Sequence, residues 1–466
     1  MELASLEASS LAHLVRTRQA SPVEVVEAVL ERARATAELN AWVTLDEEGA
    51  LRQARDAAVL VEQVEDLGAL HGVPVTIKDF PRVRGLPNRR GSRLTSDEPS
   101  HDDSPLVRRL RGAGAIIMGT TTSSERGWTA VGSSPLTGHT HNPWRHGVTS
   151  GGSSAGAAAL AGAGCGPLHV GTDGAGSIRL PAHFCGVVGF KPTFGRIPYA
   201  PLPNNSNISH AGPITRSVAD AALMYAVMAG ADPLDHTSLP GDQRRDVEPG
   251  GLRGLRVAYS TDLGHARVDP GVASVVRTAV TRLSDLGAVV EEITPVWGPL
   301  GRDLEREMWG LAMLPYLPDD DTQEAAMDPG LVACARSYEF VTAREAVSAY
   351  GRRIEYAAMV NSWFGSLGFD LLVTPAASVT AFPVGRQIPD HWPQHAWDWI
   401  AWAEFSYPFN LAHGPAISIP VGFDEGLPVG MQIAGPRLAD DLVLRAAEAY
   451  AHAYPFPAAP GVGAHR

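Results

Sequence analysis

Thirty-six of the 38 lysine and arginine side chains in this sequence are arginine, and only Lys78 and Lys191 are lysine. A lysine that persists in such a background is a candidate for chemistry, because only an amine can lose its proton near neutral pH and act as a base. Lys78 lies in an apolar run, residues 71–80, that predicts a buried strand, and burial lowers a lysine pKa by disfavouring the charged form. Lys78 is therefore the candidate base. The alternative explanation is that two lysines were retained by chance in an arginine-rich chain.

Two glycine-rich loops supply the candidate nucleophiles. The first, residues 149–156, contains the pair Ser153 and Ser154 and runs into small residues that predict a helix packed very close to neighbouring backbone. The second, residues 171–179, contains Ser177. Glycines permit turns in which successive amides form a nest of N–H donors, and a nest beside a hydroxyl has the geometry of an oxyanion hole beside a nucleophile. Tight turns and a close helix contact are the alternative explanation of both loops.

Neither loop matches the common nucleotide-binding motifs. The phosphate-binding loop requires a lysine that is missing here, and the dinucleotide fingerprint Gly-x-Gly-x-x-Gly is absent from both loops. Residues 152–156, however, satisfy Gly-x-Ser-x-Gly, the nucleophile elbow of α/β-hydrolases, with Ser154 as the nucleophile. That alternative needs an acid and a histidine downstream, and it leaves Lys78 and the second loop without a role.

Lys78 and the two loops together strongly resemble the amidase signature family of serine amidases, which includes indoleacetamide hydrolase and fatty acid amide hydrolase. The resemblance extends from the lysine strand to residues 426–432, and its most specific element is the 24-residue spacing between Ser153 and Ser177. It implies an α/β fold, the amidase-signature fold, with a large mixed central sheet covered by helices on both faces. It also implies a hydrolase that cleaves a carboxylic acid amide to the acid plus ammonia or amine.

The resemblance assigns roles to individual residues. Ser177 corresponds to the nucleophile that carries the acyl-enzyme, Ser153 to a bridging serine preceded by a cis peptide bond, and Lys78 to the base. This Ser-Ser-Lys triad needs no metal or organic cofactor, because a desolvated neutral lysine can activate a serine through a second hydroxyl. The further positions are the oxyanion-hole amides of Gly174, Ala175 and Gly176 and the supporting residues Ser154, Asp173 and Arg179.

Three positions depart from the family pattern. Ser150 stands where many members have proline, and Ala155 and Ala175 replace glycines in the first and second loops. If Ala175 required a positive φ, the strain would be on the order of 1 to 3 kcal/mol. Its amide is retained in any case, and Lys78, Ser153 and Ser177 are all present.

Several other residues suggest chemistry less specifically. His139, His141 and His146 could indicate a metal site, but no downstream ligand has recognisable spacing, which favours a polar loop. Lys191 is expected to be a structural lysine, and Cys185 a small packing residue. Trp128, Phe184 and Trp402 are candidates for the wall of an acyl pocket, or else plain core aromatics.

Alternating helices and strands must position these residues. Helices are predicted from the capping signal Ser21-Pro22-Val23-Glu24 and from Ser104-Pro105, and in residues 217–229, 269–286 and 440–454. Strands are predicted in residues 115–118, 255–259, 371–374, 416–421 and 429–433. This alternation favours α/β layers around a large central sheet.

We expect one domain, residues 1–466, built from four segments. These are an N-terminal helical segment (1–60), a catalytic core (61–230), a less regular helical segment contributing to the substrate pocket (295–395), and C-terminal strands and a helix that return to the core (396–466).

The composition restricts the kinds of partner that the protein can bind. With a net charge of −13 and a pI near 5.6, the chain lacks the basic surface expected of a direct nucleic-acid binder. The N-terminus does not resemble a secretory signal, no apolar run is long enough to span a membrane, and the three cysteines are too few and scattered for a disulfide framework or a four-cysteine zinc site. We expect a cytoplasmic enzyme with a small-molecule amide as its partner. A homodimer is expected only because homodimers are the commonest oligomers of soluble proteins.

Two other functions are compatible with the same residues. One is the glutamine-hydrolysing A subunit of a tRNA-dependent amidotransferase, which would need partner chains. The other is a non-catalytic binding protein on the same scaffold. Hydrolysis of free amides without partners or ATP would separate the amidase from both.

Overall fold

The computed structural model describes residues 2–63, 66–201, 207–240 and 251–460. In these ranges the β-strands are β1 Trp42–Leu45, β2 Pro74–Lys78, β3 Ile116–Thr121, β4 Ser133–Ser134, β5 Gly138–His139, β6 Leu168–Asp173, β7 Val188–Lys191, β8 His210–Thr215, β9 Arg256–Tyr259, β10 Val289–Glu292, β11 Leu371–Pro375, β12 Ala416–Asp424 and β13 Leu427–Ala434. The α-helices are α1 Ala8–Arg16, α2 Pro22–Ala35, α3 Glu47–Gln63, α4 Pro105–Gly112, α5 Ala155–Gly162, α6 Arg179–Cys185, α7 Val218–Met228, α8 Pro270–Asp285, α9 Gly301–Met313, α10 Asp321–Glu324, α11 Pro329–Arg336, α12 Ala343–Leu367, α13 Pro408–Leu411 and α14 Asp440–Ala453.

Eleven of these strands form one mixed sheet in the order β1-β3-β2-β6-β8-β7-β12-β13-β11-β9-β10. Strand β2 runs parallel to β3 and β6, and β9 runs parallel to β10 and β11, whereas the pairs in the middle of the sheet are antiparallel. The mixed α/β sheet expected from the family resemblance is therefore confirmed.

Helices cover both faces of this sheet. Alternate residues of a strand point to opposite faces, and in β11 Leu371 and Val373 belong to one hydrophobic cluster while Leu372 belongs to another. The first cluster includes residues of α7, α8 and α14, and the second includes residues of α9 and α12. In β2 the side chains of Val75 and Ile77 join the first cluster, which leaves Lys78 facing the other side of the sheet.

Most elements predicted from the sequence are confirmed, with their ends shifted by one to three residues. The Ser21 hydroxyl accepts a hydrogen bond from the Glu24 amide, and the Glu24 carboxylate accepts one from the Ser21 amide, which is the predicted capping box. Ser217 caps α7 by accepting the Asp220 amide. Strands β12 and β13 are longer than predicted because they form a hairpin that extends past Pro420 with a register irregularity.

The helix predicted from small residues is α5, and all of its side chains are buried. It packs against neighbouring backbone so closely that a Cβ on Gly156 would lie 2.1 Å from the Ala41 carbonyl oxygen. Glycine at this position is therefore a packing requirement.

In the part of the chain that the structure describes, no helix is both long and apolar enough to cross a membrane. The division into four segments, the cytoplasmic location and the homodimer stay predictions.

Candidate active site

Three neighbouring elements bring Lys78, Ser153 and Ser177 together. Lys78 is the last residue of β2, and Ser177 follows the end of β6, the parallel neighbour of β2. Parallel neighbours end at the same edge of a sheet. Ser153 lies just before α5, whose buried helix packs over β2 and β6. The three residues predicted to form the triad therefore meet at one edge of the sheet.

The side chain of Lys78 is fully buried and contacts neutral hydroxyl groups. Its Nζ lies 2.7 Å from Ser153 Oγ and 2.9 Å from Thr172 Oγ1. Burial lowers its pKa to about 7, although the Asp173 carboxylate acts in the opposite direction. A substantial fraction of Lys78 is thus neutral near pH 7, and a neutral amine can accept the Ser153 proton.

Ser153 and Ser177 line one cleft. The peptide bond between Gly152 and Ser153 is cis, as the resemblance implies. No hydrogen bond joins the two serine hydroxyls, and within the described ranges the Ser177 hydroxyl donates to no acceptor. Hydrogen bonds between catalytic groups often tighten only when a substrate is bound.

The turn that carries Ser177 is organised by Asp173. One carboxylate oxygen accepts the Gly176 amide at 2.7 Å and the other accepts the Ile178 amide at 3.1 Å. The prediction that the Gly176 amide belongs to the oxyanion hole is therefore corrected, because that N–H is already engaged. The amides of Gly174, Ala175 and Ser177 have no acceptor among the described residues and remain the candidate donors.

Arg179 secures this turn by using all five of its N–H donors. Two bind the Asp173 carboxylate at 2.8 and 3.0 Å, and the others reach the Ser406 carbonyl, Gln432 Oε1 and Asn410 Oδ1. Both ionic side chains are fully buried. Although burial alone would raise it, the pKa of Asp173 is held well below its usual range by the Arg179 guanidinium. The predicted supporting residues are thus in direct contact with each other and with the turn.

The departures from the family pattern fit without strain. Ala175 is not among the residues with positive φ, so the strain considered for it does not arise. Its carbonyl accepts a hydrogen bond of 2.6 Å from the Ser406 hydroxyl. Gly176, by contrast, has φ +118°, and a Cβ there would lie 2.4 Å from Ser406 Oγ. The glycine that this turn requires is the one retained.

Ser154 faces away from the cleft. Its hydroxyl donates to the Thr172 carbonyl at 3.1 Å and accepts the Thr172 amide at 3.2 Å. The side chain is completely buried and joins α5 to β6. This geometry supports a structural role for Ser154 and gives no support to its interpretation as an elbow nucleophile.

The three aromatic residues predicted to line the acyl pocket do not lie in the cleft. Trp128, Phe184 and Trp402 are fully buried in the aromatic cluster behind the cleft, with the rings of Phe184 and Trp402 5.7 Å apart. None of the three lines the cleft. We correct this assignment, because the side chains that do so include Phe80, Tyr199, Trp309, Met313 and Tyr316. Trp128 acts indirectly, since its carbonyl accepts the indole N–H of Trp309 at 2.8 Å.

The surroundings of the remaining candidate residues fit structural roles and not catalytic ones. Lys191 is buried and donates to the carbonyls of Gly414 and Pro192. Cys185 is buried, which raises the pKa of its thiol. The rings of His141 and His146 stack on each other, and among the described residues no group of three or more His, Cys, Asp or Glu side chains could hold a metal ion.

Sequence reasoning missed several residues that touch the site. Thr172, Ser406, Asn410 and Arg126 carry no individual signal, since each acts through a contact that only the fold creates. Gln432 lies in the late segment that resembles the family, but nothing in the sequence indicates its contact with Arg179.

Comparison with known proteins gives consistent results. The family model described as Amidase matches residues 24–299 and 331–444. The acylamidase of Rhodococcus erythropolis is 39% identical over 456 residues, covering 95% of this chain and 94% of the relative. The A subunit of the glutamyl-tRNA(Gln) amidotransferase from Salinispora tropica is 33% identical over 493 residues, covering 96% and 97%. The crystal structure of a bacterial aryl acylamidase of the amidase signature family superposes with a TM-score of 0.90 at 27% identity, covering 97% of this chain and 96% of that one.

Proposed function

Because this chain belongs to the amidase family and is a hydrolase of amide carbon–nitrogen bonds, we propose that Ser177 is its nucleophile, Ser153 its proton relay and Lys78 its base. The observation that carries the proposal is the 2.7 Å separation of Lys78 Nζ from Ser153 Oγ in the cleft that also contains Ser177. A base near neutral pKa at hydrogen-bond distance from a hydroxyl meets the geometric requirement for general base catalysis.

Acylation proceeds by proton transfer along this chain of groups. Ser177 Oγ attacks the amide carbonyl carbon while its proton passes to Ser153, whose own proton passes to neutral Lys78. The carbonyl oxygen becomes an oxyanion. The free amides of Gly174, Ala175 and Ser177 are the donors available in the turn to stabilise that charge, and such donors are each worth roughly a hundredfold to a thousandfold in rate.

Collapse of the tetrahedral intermediate breaks the carbon–nitrogen bond. Ser153 protonates the departing nitrogen and recovers its proton from Lys78, so the amine leaves neutral and Ser177 holds the acyl group as an ester. Water then attacks this ester with the same groups accepting its proton. The acid is released and Ser177 regains its hydrogen, which balances the overall hydrolysis of one amide by one water.

The family includes the A subunits of amidotransferases, and this function is the less supported alternative. The acylamidase is more similar to this chain than the amidotransferase protein of Salinispora tropica is, at 39% against 33% identity. An amidotransferase protein of this kind would hydrolyse glutamine, whereas an amidase would release the amine of a simple anilide without partner chains or ATP.

The test is mass-spectrometric mapping of the adduct left by a fluorophosphonate probe. Labelling of Ser177 that is lost in Ser177→Ala and strongly reduced in Lys78→Ala is the expected result. Labelling of Ser154 would overturn the assignment in favour of the elbow arrangement. Folded protein that neither reacts with the probe nor hydrolyses any amide would favour a non-catalytic binding protein.

A further inference from the structure

One wall of the active-site cleft is cationic, and this feature bears on substrate choice. Arg126 lines the cleft together with Ser153 and Ser177. Its neighbour Gly127 lies so close to the bridging serine that a Cβ there would be 3.4 Å from Ser153 Oγ. The segment that carries the arginine therefore adjoins the proposed proton relay.

The backbone at Arg126 is held in an unusual conformation. Its φ is +51°, in the left-handed region that non-glycine residues seldom adopt, and Arg90 has the same φ. The Arg126 amide donates to the Arg90 carbonyl at 2.9 Å, which ties the two arginines together. Such conformations persist when the surrounding structure enforces them, and they concentrate at functional sites.

Neither arginine forms an ion pair with a carboxylate in the described ranges. The nearest in sequence, Glu125, has both oxygens engaged, one by the Ser92 hydroxyl and one by the Asp328 amide, each at 2.6 Å. The Arg126 guanidinium instead stacks 5.1 Å from the ring centre of Tyr316, and that of Arg90 lies 5.9 Å from the ring centre of Phe80.

Arg126 is thus a half-buried cation with no carboxylate of the described residues within ion-pair distance of its guanidinium, although the Glu125 carboxylate acts on it from farther away. Burial lowers the pKa of Arg126; Tyr316 and Glu125 act in the opposite direction, and the positive charge of Arg90 adds to the lowering. An anion bound here would supply a countercharge at hydrogen-bond distance from the guanidinium. A guanidinium fork matches a carboxylate with two parallel hydrogen bonds, and an aromatic ring stacked on the face of the guanidinium does not occupy its N–H donors.

We propose that Arg126 binds an anionic group of the substrate, so that the preferred substrates of this enzyme are amides that carry a carboxylate. The inference rests on the proposed function, because the arginine and the proposed nucleophile Ser177 line the same cleft. Arg90 adds to the positive field at that wall. A ligand held by Arg126 therefore occupies the space in which the amide must react.

The test uses matched pairs of chromogenic or ultraviolet-absorbing amides. One pair is the mono-4-nitroanilide of succinic acid and its methyl ester, which differ in a carboxylate on the acyl side. The other is N-acetyl-4-aminobenzoic acid and its methyl ester, which differ on the amine side. We expect at least one carboxylate to be preferred over its ester by about tenfold or more in kcat/KM, with a KM that rises as salt is added.

The variants are Arg126→Asn, Arg126→Lys and Arg344→Gln. Asparagine is chosen because it tolerates positive φ better than most residues. Arg126→Asn should reduce the carboxylate preference about tenfold, chiefly through KM, and Arg126→Lys should restore part of it. Arg344 lies exposed near the start of α12, and its variant makes the same change in net charge without altering the preference.

The outcomes separate this inference from the function on which it rests. Equal hydrolysis of acid and ester in both pairs, or equal loss for both in folded Arg126→Asn, would overturn the anion site and leave the amidase intact. Absence of any hydrolysis together with no fluorophosphonate adduct on Ser177 would instead overturn the proposed function.

Discussion

Lys78 Nζ lies 2.7 Å from Ser153 Oγ, and its other side-chain partner, Thr172, is also a neutral hydroxyl. With neutral partners, burial sets the protonation state of the lysine, and the Asp173 charge only moderates the effect. The amine is therefore available as a base near neutral pH, which a surface lysine is not.

We expect kcat/KM to rise as the pH is raised through about 7, because Lys78 must lose its proton to act as a base. Burial also raises the pKa of the adjacent Asp79 to about 7, so this carboxyl could titrate in the same range. Asp79→Asn is the control. It should keep the rise, whereas the residual activity of Lys78→Ala should be flat between about pH 6 and pH 8. A rise that disappears in Asp79→Asn would identify the carboxyl as the group observed.

The protein should gain stability when Lys78 is replaced by methionine. The pKa of Lys78 falls from 10.5 to about 7 in the folded chain, so between these values the unfolded chain binds more protons and stability rises with pH. The penalty for burying the amine is largest below pH 7. Lys78→Met removes it, and urea unfolding should show a more stable variant at pH 7 whose advantage shrinks towards about pH 10. An advantage that grows with pH would contradict the depressed pKa.

Replacement of the adjacent serines Ser153 and Ser154 by alanine should affect different properties, namely the catalytic rate for the first and the stability for the second. Ser153→Ala removes the proposed proton relay and should lower kcat by about 10² to 10⁴ with little change in stability. Ser154→Ala leaves the amide and carbonyl of Thr172 without their partner and should cost about 1 to 3 kcal/mol of unfolding free energy. Steady-state kinetics and urea titration of the two variants give the comparison, and the reverse pattern would refute the assignment.

Asp173→Asn should destabilise the fold by about 3 to 5 kcal/mol, because it leaves the buried Arg179 guanidinium without its countercharge. The matched control is Glu292→Gln, which breaks the pair with Arg277 at a site where both side chains are more than half exposed. That change should cost about 1 kcal/mol or less. Similar losses in the two variants, measured by urea unfolding, would mean that the buried pair is not important for stability.

Two glycine-to-alanine changes in helices should have opposite signs. In α5 a Cβ on Gly156 would meet the Ala41 carbonyl oxygen at 2.1 Å, and the resulting overpacking should cost about 1 to 3 kcal/mol or more. In α12 a Cβ on Gly351 would meet nothing within 4 Å. Gly351→Ala should stabilise the protein by about 0.5 to 1 kcal/mol, because alanine loses less backbone entropy than glycine. Thermal unfolding should therefore show a lower Tm for Gly156→Ala and a higher Tm for Gly351→Ala, and shifts of the same sign would contradict this prediction.

The elements that position the chemistry could be predicted from local signals. The apolar run ending at Lys78 is strand β2, the small residues after Ser154 form the buried helix α5, and the second loop follows β6. Each of these signals lies within a few residues of the feature it predicts. Their meeting point comes from the family resemblance, because no local pattern shows that β2 and β6 are neighbours in the sheet.

The walls of the cleft could not be predicted in the same way. Residue type alone suggests Trp128, Phe184 and Trp402, yet a large aromatic side chain serves equally well in a core. The prediction for Gly176 fails because the Asp173 carboxylate, three residues earlier, engages its amide. The residues of the 406–410 segment that hold the second loop lie more than two hundred positions from it, so only the folded chain reveals them.

Part of the cleft wall comes from a portion of the chain that is distant in sequence from the proposed triad. Lys78, Ser153 and Ser177 come from β2, the start of α5 and the turn after β6, whereas Trp309 and Met313 come from α9 and Tyr316 from the segment after it. Substitutions at Trp309, Met313 and Tyr316 can therefore reshape the cleft while the proposed proton relay stays in place. Descendants of one catalyst could acquire new substrates along this route, and a laboratory library confined to those three positions would sample the same freedom.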